Sequence, residues 1–217
     1  MAGTGKSLAG SSRIKWLASR VRGKRILDLG CCGTDFSLNR AIREANPDST
    51  MVGLDYNRGR LVDYASGQGE NLAAGDAYRL PFKAGSFDAV VAAELVEHDV
   101  RPLALFSEIA RVLAPSGRLY LSTPNPWDII RMLRNWLFCA APFRKANVRS
   151  YLGSEDHQTL YDPLSLANLL ARCSLEVAEL TTRGYPLFVR RDWLNWPFNY
   201  WPLDRFNCNA CLMAVKK

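Results

Sequence analysis

Asp28, Asp55, Asp76 and Glu94 each stand at the end of an apolar run, where a carboxylate can accept hydrogen bonds from the hydroxyl or amine groups of a ligand. Between the first two lies Asp28-Leu-Gly-Cys-Cys-Gly33, with an apolar run before it and a helical pattern after it. Glycine at Gly30 and Gly33 lets the backbone turn sharply and approach a ligand with no Cβ in the way. An acid at a strand end also commonly caps a helix or faces solvent, so any single one carries little weight. Their recurrence on successive runs is the signal. His98 and His157 are the chain's 2 histidines, the side chains able to serve as a general base without a large pKa shift.

These groups need a scaffold, and the hydrophobic periodicity supplies one. Apolar runs read as strands at Arg25–Leu29, Thr50–Asp55, Asn71–Ala74, 86–93, 118–123, 175–180 and 207–215. Helical patterns fall at 7–22, 36–45, 102–113 and 162–173, the last with Asp162 as its cap and Pro163 as its first residue. Pro115-Ser-Gly117 reads as the turn that separates the third of these helices from the fifth strand. Strands alternating with helices at this spacing predict a parallel sheet covered on both faces, with ligands at the carboxyl ends of the strands. After residue 123 the character changes: 127–143 reads as an aromatic, basic helix, and 193–201 is rich in tryptophan.

At 217 residues the chain suits one well-buried domain. Residues 1–13 carry no apolar core of a secretory signal, so a cytoplasmic location is expected. The net charge of +7 suits an anionic partner such as nucleic acid or a membrane surface. The 6 cysteines read as reduced thiols rather than a disulfide framework. Cys208 and Cys211 have the spacing of half a zinc site, but nothing nearby completes it, and no metal is expected.

Gly75-Asp-Ala-Tyr-Arg-Leu-Pro-Phe-Lys-Ala-Gly-Ser-Phe-Asp-Ala-Val90 follows a GDAxxLPFxxxSFDxV pattern, joined by Glu94-Leu-Val-Glu-His98, by 108–117 with Ser116 where glycine is usual, and by Ser122-Thr-Pro-Asn125. On these motifs the chain resembles the class I S-adenosylmethionine-dependent methyltransferases, in the small-molecule branch with the ubiquinone-type methyltransferase domain. The resemblance implies a Rossmann-like fold: a mostly parallel seven-stranded sheet, helices on both faces, an antiparallel last strand. It implies a single domain over 1–217, with 124–150 and 184–206 as insertions on the substrate side. Gly30, Cys31, Cys32 and Gly33 would wrap the methionine part of S-adenosyl-L-methionine, and Asp28 would orient it. Asp55 would accept from both ribose hydroxyls, Tyr56 would flank the adenine, Asp76 and the Ala77 amide would bond its edge, and Ala93 or Glu94 would face the substrate end.

The family's loop reads DxGCGxG, whereas Cys32 and Thr34 here occupy the second and third glycine positions. Added Cβ atoms there are expected to crowd the cofactor or tilt the following helix, weakening affinity. The implied reaction is methyl transfer to a small-molecule or lipid-like acceptor, at oxygen, with His157 or His98 as general base. Trp127, Trp136, Tyr161 and Trp196 are the candidate acceptor-binding residues. Aromatic and basic side chains over 127–145 would also suit peripheral contact with a membrane. An RNA methyltransferase and a non-catalytic binding protein with a degenerate cofactor loop are the alternatives.

Overall fold

A computed structural model describes residues 12–33, 36–65, 71–128, 132–133, 157–183 and 209–217. In chain order the elements are α1 (Ser12–Arg20), β1 (Arg25–Leu29), α2 (Ser37–Ala45), β2 (Thr50–Asp55), α3 (Arg58–Ala65), β3 (Asn71–Ala74), β4 (Phe87–Ala93), a 3-10 turn (Val96–His98), α4 (Pro102–Val112), β5 (Leu113–Pro124), α5 (Pro163–Arg172), β6 (Leu175–Arg183) and β7 (Asn209–Lys216). The strands form one sheet in the order β3-β2-β1-β4-β5-β7-β6. All neighbours are parallel up to β5, and β7 runs antiparallel to both β5 and β6. The chain leaves β1 toward β2 and returns on its other side at β4. That reversal opens a crevice at the carboxyl ends of β1 and β4.

Strand alternation divides the core between two helix layers. In β4, Val90 and Ala92 join the cluster packed with Leu105, Phe106 and Ile109 of α4 and with Leu166 and Leu170 of α5. Ala89 and Val91 point the other way, into the cluster of Ile14 and Leu17 from α1 and Leu38 and Ile42 from α2. With every one of these side chains buried, the strand reads as a continuous apolar run. Asp162 caps α5 as its sequence predicts, accepting from the Leu164 and Ser165 amides at 3.0 and 3.1 Å. Among the described residues no helix is long and apolar enough to cross a membrane.

The expected turn at Pro115-Ser-Gly117 is instead part of β5. Pairing with β4 steps from Phe87↔Leu113 to Ala89↔Arg118, so the residues between bulge out of the ladder without ending the strand. Ser116 takes φ 60°, the left-handed region that explains why glycine suits that position. Helix α4 accordingly stops at Val112, and β6 runs on to Arg183, past the expected residue 180. The 127–143 and 193–201 stretches lie almost wholly outside the described residues.

A left-handed conformation costs a residue with a Cβ about 1–2 kcal/mol, offset in part by roughly 0.5–1 kcal/mol of extra unfolded-state entropy when glycine replaces it. Ser116→Gly should therefore raise the thermal midpoint by about 2–4 °C in a differential scanning measurement. Gly117→Ala should lower it, because a Cβ there would sit 2.8 Å from the Ala114 carbonyl oxygen. An unchanged midpoint in both variants would contradict this account of the bulge.

Candidate active site

Alternation in β1 turns Asp28 toward the α2 side, where its Oδ2 accepts from Asn39 Nδ2 at 2.8 Å. Gly30 follows with φ 71°, and its amide donates to the Leu54 carbonyl at 2.8 Å. A Cβ on Gly30 would also come within 3.3 Å of Leu95. Glycine is thus required here twice over. The Gly33 amide closes the loop on the Gly30 carbonyl at 3.1 Å.

The Asp55 carboxylate, at the end of β2, fastens this loop. Its Oδ2 accepts from the Cys32 amide at 3.0 Å and its Oδ1 from the Asn57 amide at 2.9 Å. The backbone of Asp55 also accepts from the Gly75 amide at 3.0 Å, drawing Asp76 and Ala77 alongside. Asp76 is exposed and its Oδ1 accepts from the Tyr78 amide at 2.8 Å. Tyr56, beside Asp55, is 86% exposed, an unusual setting for a large aromatic ring.

Cys32, at the second glycine position of the motif, turns its side chain away from the crevice. Its side chain is 2% exposed and packs with Cys31, Phe36 and Leu61 rather than lining the crevice. The strain falls on Phe36, which enters α2 with φ 58°. Thr34, the second departure, lies outside the described residues. Cys31 does line the crevice, but burial first, then Asp28, Cys32 and Asp55, push its thiol far above the usual range. Burial and Asp55 raise Cys32 to about 11. Both are therefore neutral, unreactive thiols near pH 7. Cys211 sits buried in β7 as a free thiol, and Cys208 lies outside the described residues.

At the end of β4, Glu94 takes φ 52° with its amide on the Ser122 carbonyl at 2.8 Å. Arg13, buried in α1, reaches over to Glu94 Oε1 at 3.1 Å and to Ser122 Oγ at 3.3 Å. In the 3-10 turn, Glu97 is 0% exposed, and its Oε2 accepts from Thr123 Oγ1 at 3.0 Å. Burial, then the charge of Glu94, raises Glu97 to about 8. The exposed His98 ring meets that of His157 edge to face, centroids 4.8 Å apart. The backbone holds them so: the Gln158 and Thr159 amides donate to the Glu97 carbonyl at 2.7 and 3.3 Å.

A cavity of about 130 Å³ lies between the β1 loop and the end of β4, lined by Asp28, Gly30, Cys31, Gly33, Leu38, Ala93, Glu94 and His98. The predicted site residues thus form two neighbouring groups, this cavity and the Asp55–Ala77 rim, with His157 behind His98. Tyr161 stands apart from the cavity, half-buried beside Tyr78 and Asp99, which with burial raise its phenol. Trp127 is half-buried just past β5, its amide on Asn125 Oδ1 at 3.1 Å. Trp136 and Trp196 lie outside the described residues. Arg13 and Asn39 had no motif to mark them, whereas Glu97 sits inside Glu94-Leu-Val-Glu-His98, and Ser122 and Thr123 inside Ser122-Thr-Pro-Asn125.

Residues 7–180 match the family model described as a methyltransferase domain. The chain belongs to the methyltransferase domain family. It is an S-adenosylmethionine-dependent methyltransferase, and that membership implies use of the cofactor. The ubiquinone biosynthesis O-methyltransferase of Dechloromonas aromatica is 30% identical over 188 residues, which span 80% of this chain and 74% of that protein. A solved S-adenosylmethionine-dependent methyltransferase from Mesorhizobium loti shares the fold with a TM-score of 0.67 at 18% identity, covering 95% of this chain and 99% of its own. The [4+2]-cyclase SpnF has a TM-score of 0.63 at 19% identity, over 94% of this chain and 79% of its own. A cyclase on the same fold means that architecture alone does not name the reaction. The family match does.

Thiols held neutral in the methyltransferase's crevice should resist alkylation. At pH 7.5 a thiol near 11 is ionised to less than about one part in a thousand, against roughly a tenth for an ordinary cysteine. Iodoacetamide should leave Cys31 and Cys32 unlabelled in the folded protein and label both in guanidinium, as read by peptide mass. Rapid labelling of the folded chain would overturn this reading of the loop.

Proposed function

We propose that this methyltransferase transfers a methyl group to the oxygen of an aromatic hydroxyl on a small, apolar-tailed acceptor. The observation that carries the reading is His98, a base facing the same cavity as Ala93 and Glu94. The relative from Dechloromonas aromatica, named for O-methylation in ubiquinone biosynthesis, supports oxygen and a benzenoid, lipid-like acceptor. It favours this reading over RNA methylation or a purely binding role.

The residues present fit S-adenosylmethionine. A carboxylate offers about four acceptor positions, and the Cys32 and Asn57 amides with the Cys32 thiol use three on Asp55, leaving capacity for a ribose hydroxyl and for a second that displaces the weak thiol donor. Tyr56 offers a bare ring face to a purine, and Asp76 with the Ala77 amide stands ready for its edge. Gly30 and Gly33 leave the cavity wall without Cβ atoms, in a space suited to the amino-acid end. Asp28 and Glu94 there would face an ammonium group, and Arg13 a carboxylate. When bound, the cofactor supplies an electrophilic methyl on a sulfonium, so the protein's task is alignment, water exclusion and proton removal. His98 is the base in this scheme, and His157 stands behind it.

The acceptor would enter from the carboxyl ends of β4 and β5, past Trp127. Met132 and Leu133, both exposed, follow on that side, and the chain's positive charge would favour an anionic membrane surface holding a lipid-like acceptor. The stretches 124–150 and 184–206, with Trp136 and Trp196, would cover it.

Asp55→Asn should weaken S-adenosylhomocysteine binding in calorimetry by roughly 100-fold, since hydrogen bonds to a charged group are each worth about 1.5–3 kcal/mol. His98→Asn should bind it normally yet lower kcat toward a prenylated catechol by about 10²-fold or more. A product methylated at carbon or nitrogen, or transfer to RNA with a steep salt dependence, would overturn the reading.

A further inference from the structure

Gly75-Asp-Ala-Tyr-Arg-Leu-Pro-Phe82 and the 108–117 motif lie far apart in the sequence, yet the fold joins them. Glu108 and Arg111 stand one turn apart on α4, and Arg111 Nε and Nη2 donate to the two oxygens of Glu108, each at 2.8 Å. The same guanidinium donates to the Leu80 carbonyl at 3.0 Å and to the Phe82 carbonyl at 2.8 Å. Glu108 Oε2 in turn accepts from the Leu80 amide at 2.9 Å. An exposed ion pair along a helix contributes little by itself. Here the pair grips both the N–H and the C=O of Leu80, and its bonds to Arg111, ahead of the Leu80 amide, hold the Glu108 carboxyl below its usual range.

The clasp sits at one end of the turn that carries Asp76 and Ala77. The other end is fixed by the Gly75 amide on the Asp55 carbonyl at 3.0 Å. Within the turn the bonds are local: the Arg79 amide on the Asp76 carbonyl at 3.0 Å, and the Tyr78 amide on Asp76 Oδ1 at 2.8 Å. Asp76 and Arg79 are exposed, and Leu80 is the first buried side chain after them. Burial therefore does not fix the direction of the Asp76 carboxylate. A precise polar edge on such a loop has to be imposed by the rigid elements at its ends.

We propose that Arg111, with Glu108, is a positioning residue for the cofactor: by holding the backbone of Leu80 and Phe82 it aims the Asp76 carboxylate and the Ala77 amide at the edge of the adenine. This rests on the reading above, in which S-adenosylmethionine binds with its adenine against Asp76. Arg111 touches neither cofactor nor acceptor and acts through Asp76. The tip of the turn has a tether of its own, since the Tyr78 hydroxyl donates to Asp99 and the Tyr78 ring centroid lies 3.8 Å from Arg101 Cζ. Loosening the clasp should therefore misdirect Asp76 without releasing the segment.

S-inosylhomocysteine, in which a carbonyl oxygen replaces the exocyclic amine of adenine, reports where Asp76 points. The amine donates to a carboxylate, whereas the carbonyl meets it as a second acceptor. In calorimetry the parent protein should bind S-adenosylhomocysteine about 30-fold more tightly than the inosyl analogue, the factor expected for one hydrogen bond to a charged group. Asp76→Ala should bring this ratio to about 1, with no acceptor left for the amine. Arg111→Lys keeps a charge beside Glu108, but one ammonium cannot span Glu108 and both carbonyls, so the ratio should fall to about 3. Glu108→Gln, which keeps an acceptor for the Leu80 amide and loses the charged fork, should lie between Arg111→Lys and the parent, and it carries the test should Arg111→Lys not fold. Added to Asp76→Ala, Arg111→Lys should change the ratio no further, as for a residue that acts through Asp76. A structural role alone would weaken both ligands together and leave the ratio at the parent's value. That outcome, in folded Arg111→Lys or Glu108→Gln, would overturn the role of Arg111 and leave the cofactor site standing. A ratio near 1 in the parent would sink the adenine reading along with it.

Discussion

Strands buried on both faces tolerate polar side chains only where they end. In β4, Ala89 and Val91 pack toward α1 and α2 while Val90 and Ala92 pack toward α4 and α5, which leaves no room for a charge between Ala89 and Ala92. Polar chemistry is expelled to the carboxyl edge, and the parallel arrangement of β1 to β5 puts those edges side by side. Asp55, Asp76 and Glu94 are neighbours for that reason. Asp28 is the exception, one residue inside β1, and it is tolerated because Asn39 of α2 meets it at 2.8 Å.

Gathering acids at one edge has an electrostatic consequence. Asp28, Asp55, Glu94 and Glu97 all lie within or beside the crevice, and Arg13 reaches it from α1, at 3.1 Å from Glu94. The acidic field, added to burial, keeps the Cys31 and Cys32 thiols protonated and holds a proton on Glu97 into the neutral range. A thiolate at Cys31 would be a nucleophile in the crevice, and burial with the neighbouring acids keeps it protonated instead.

Much of this was legible in the sequence because it rests on local signals. The continuous apolar run of β4, the Asp162 cap and the succession of strands along the chain follow from hydrophobic patterning and cap chemistry, and the structure matches them. The bulge at 114–117 was not legible, because Pro115-Ser-Gly117 is turn chemistry whether the chain turns away or merely steps in register; only pairing with Phe87 and Ala89 decides. The roles of Arg13 and Thr123 were invisible for a related reason. Each acts across more than 20 residues of sequence, Arg13 on Glu94 and Thr123 on Glu97, so no window contains both partners. His157 was picked out as a lone histidine, but its contact with His98 depends on amide bonds to the Glu97 carbonyl that only the folded chain creates.

The loop after β1 illustrates how a glycine pattern overstates its own requirements. Three glycines in a motif suggest three positions where a Cβ is forbidden, yet only Gly30 here combines a positive φ with a close neighbour. At the second position Cys32 turns its side chain into a cluster with Cys31, Phe36 and Leu61, and its amide still reaches Asp55 at 3.0 Å. What the site needs from that residue is the direction of an N–H, which any amino acid with a compatible backbone can supply. The left-handed step is taken by Phe36, whose burial against Cys31, Cys32 and Leu61 compensates the cost of φ 58°. A departure from the motif is thus absorbed by apolar packing in a small cluster of its own, between the loop after β1, the start of α2 and Leu61 of α3.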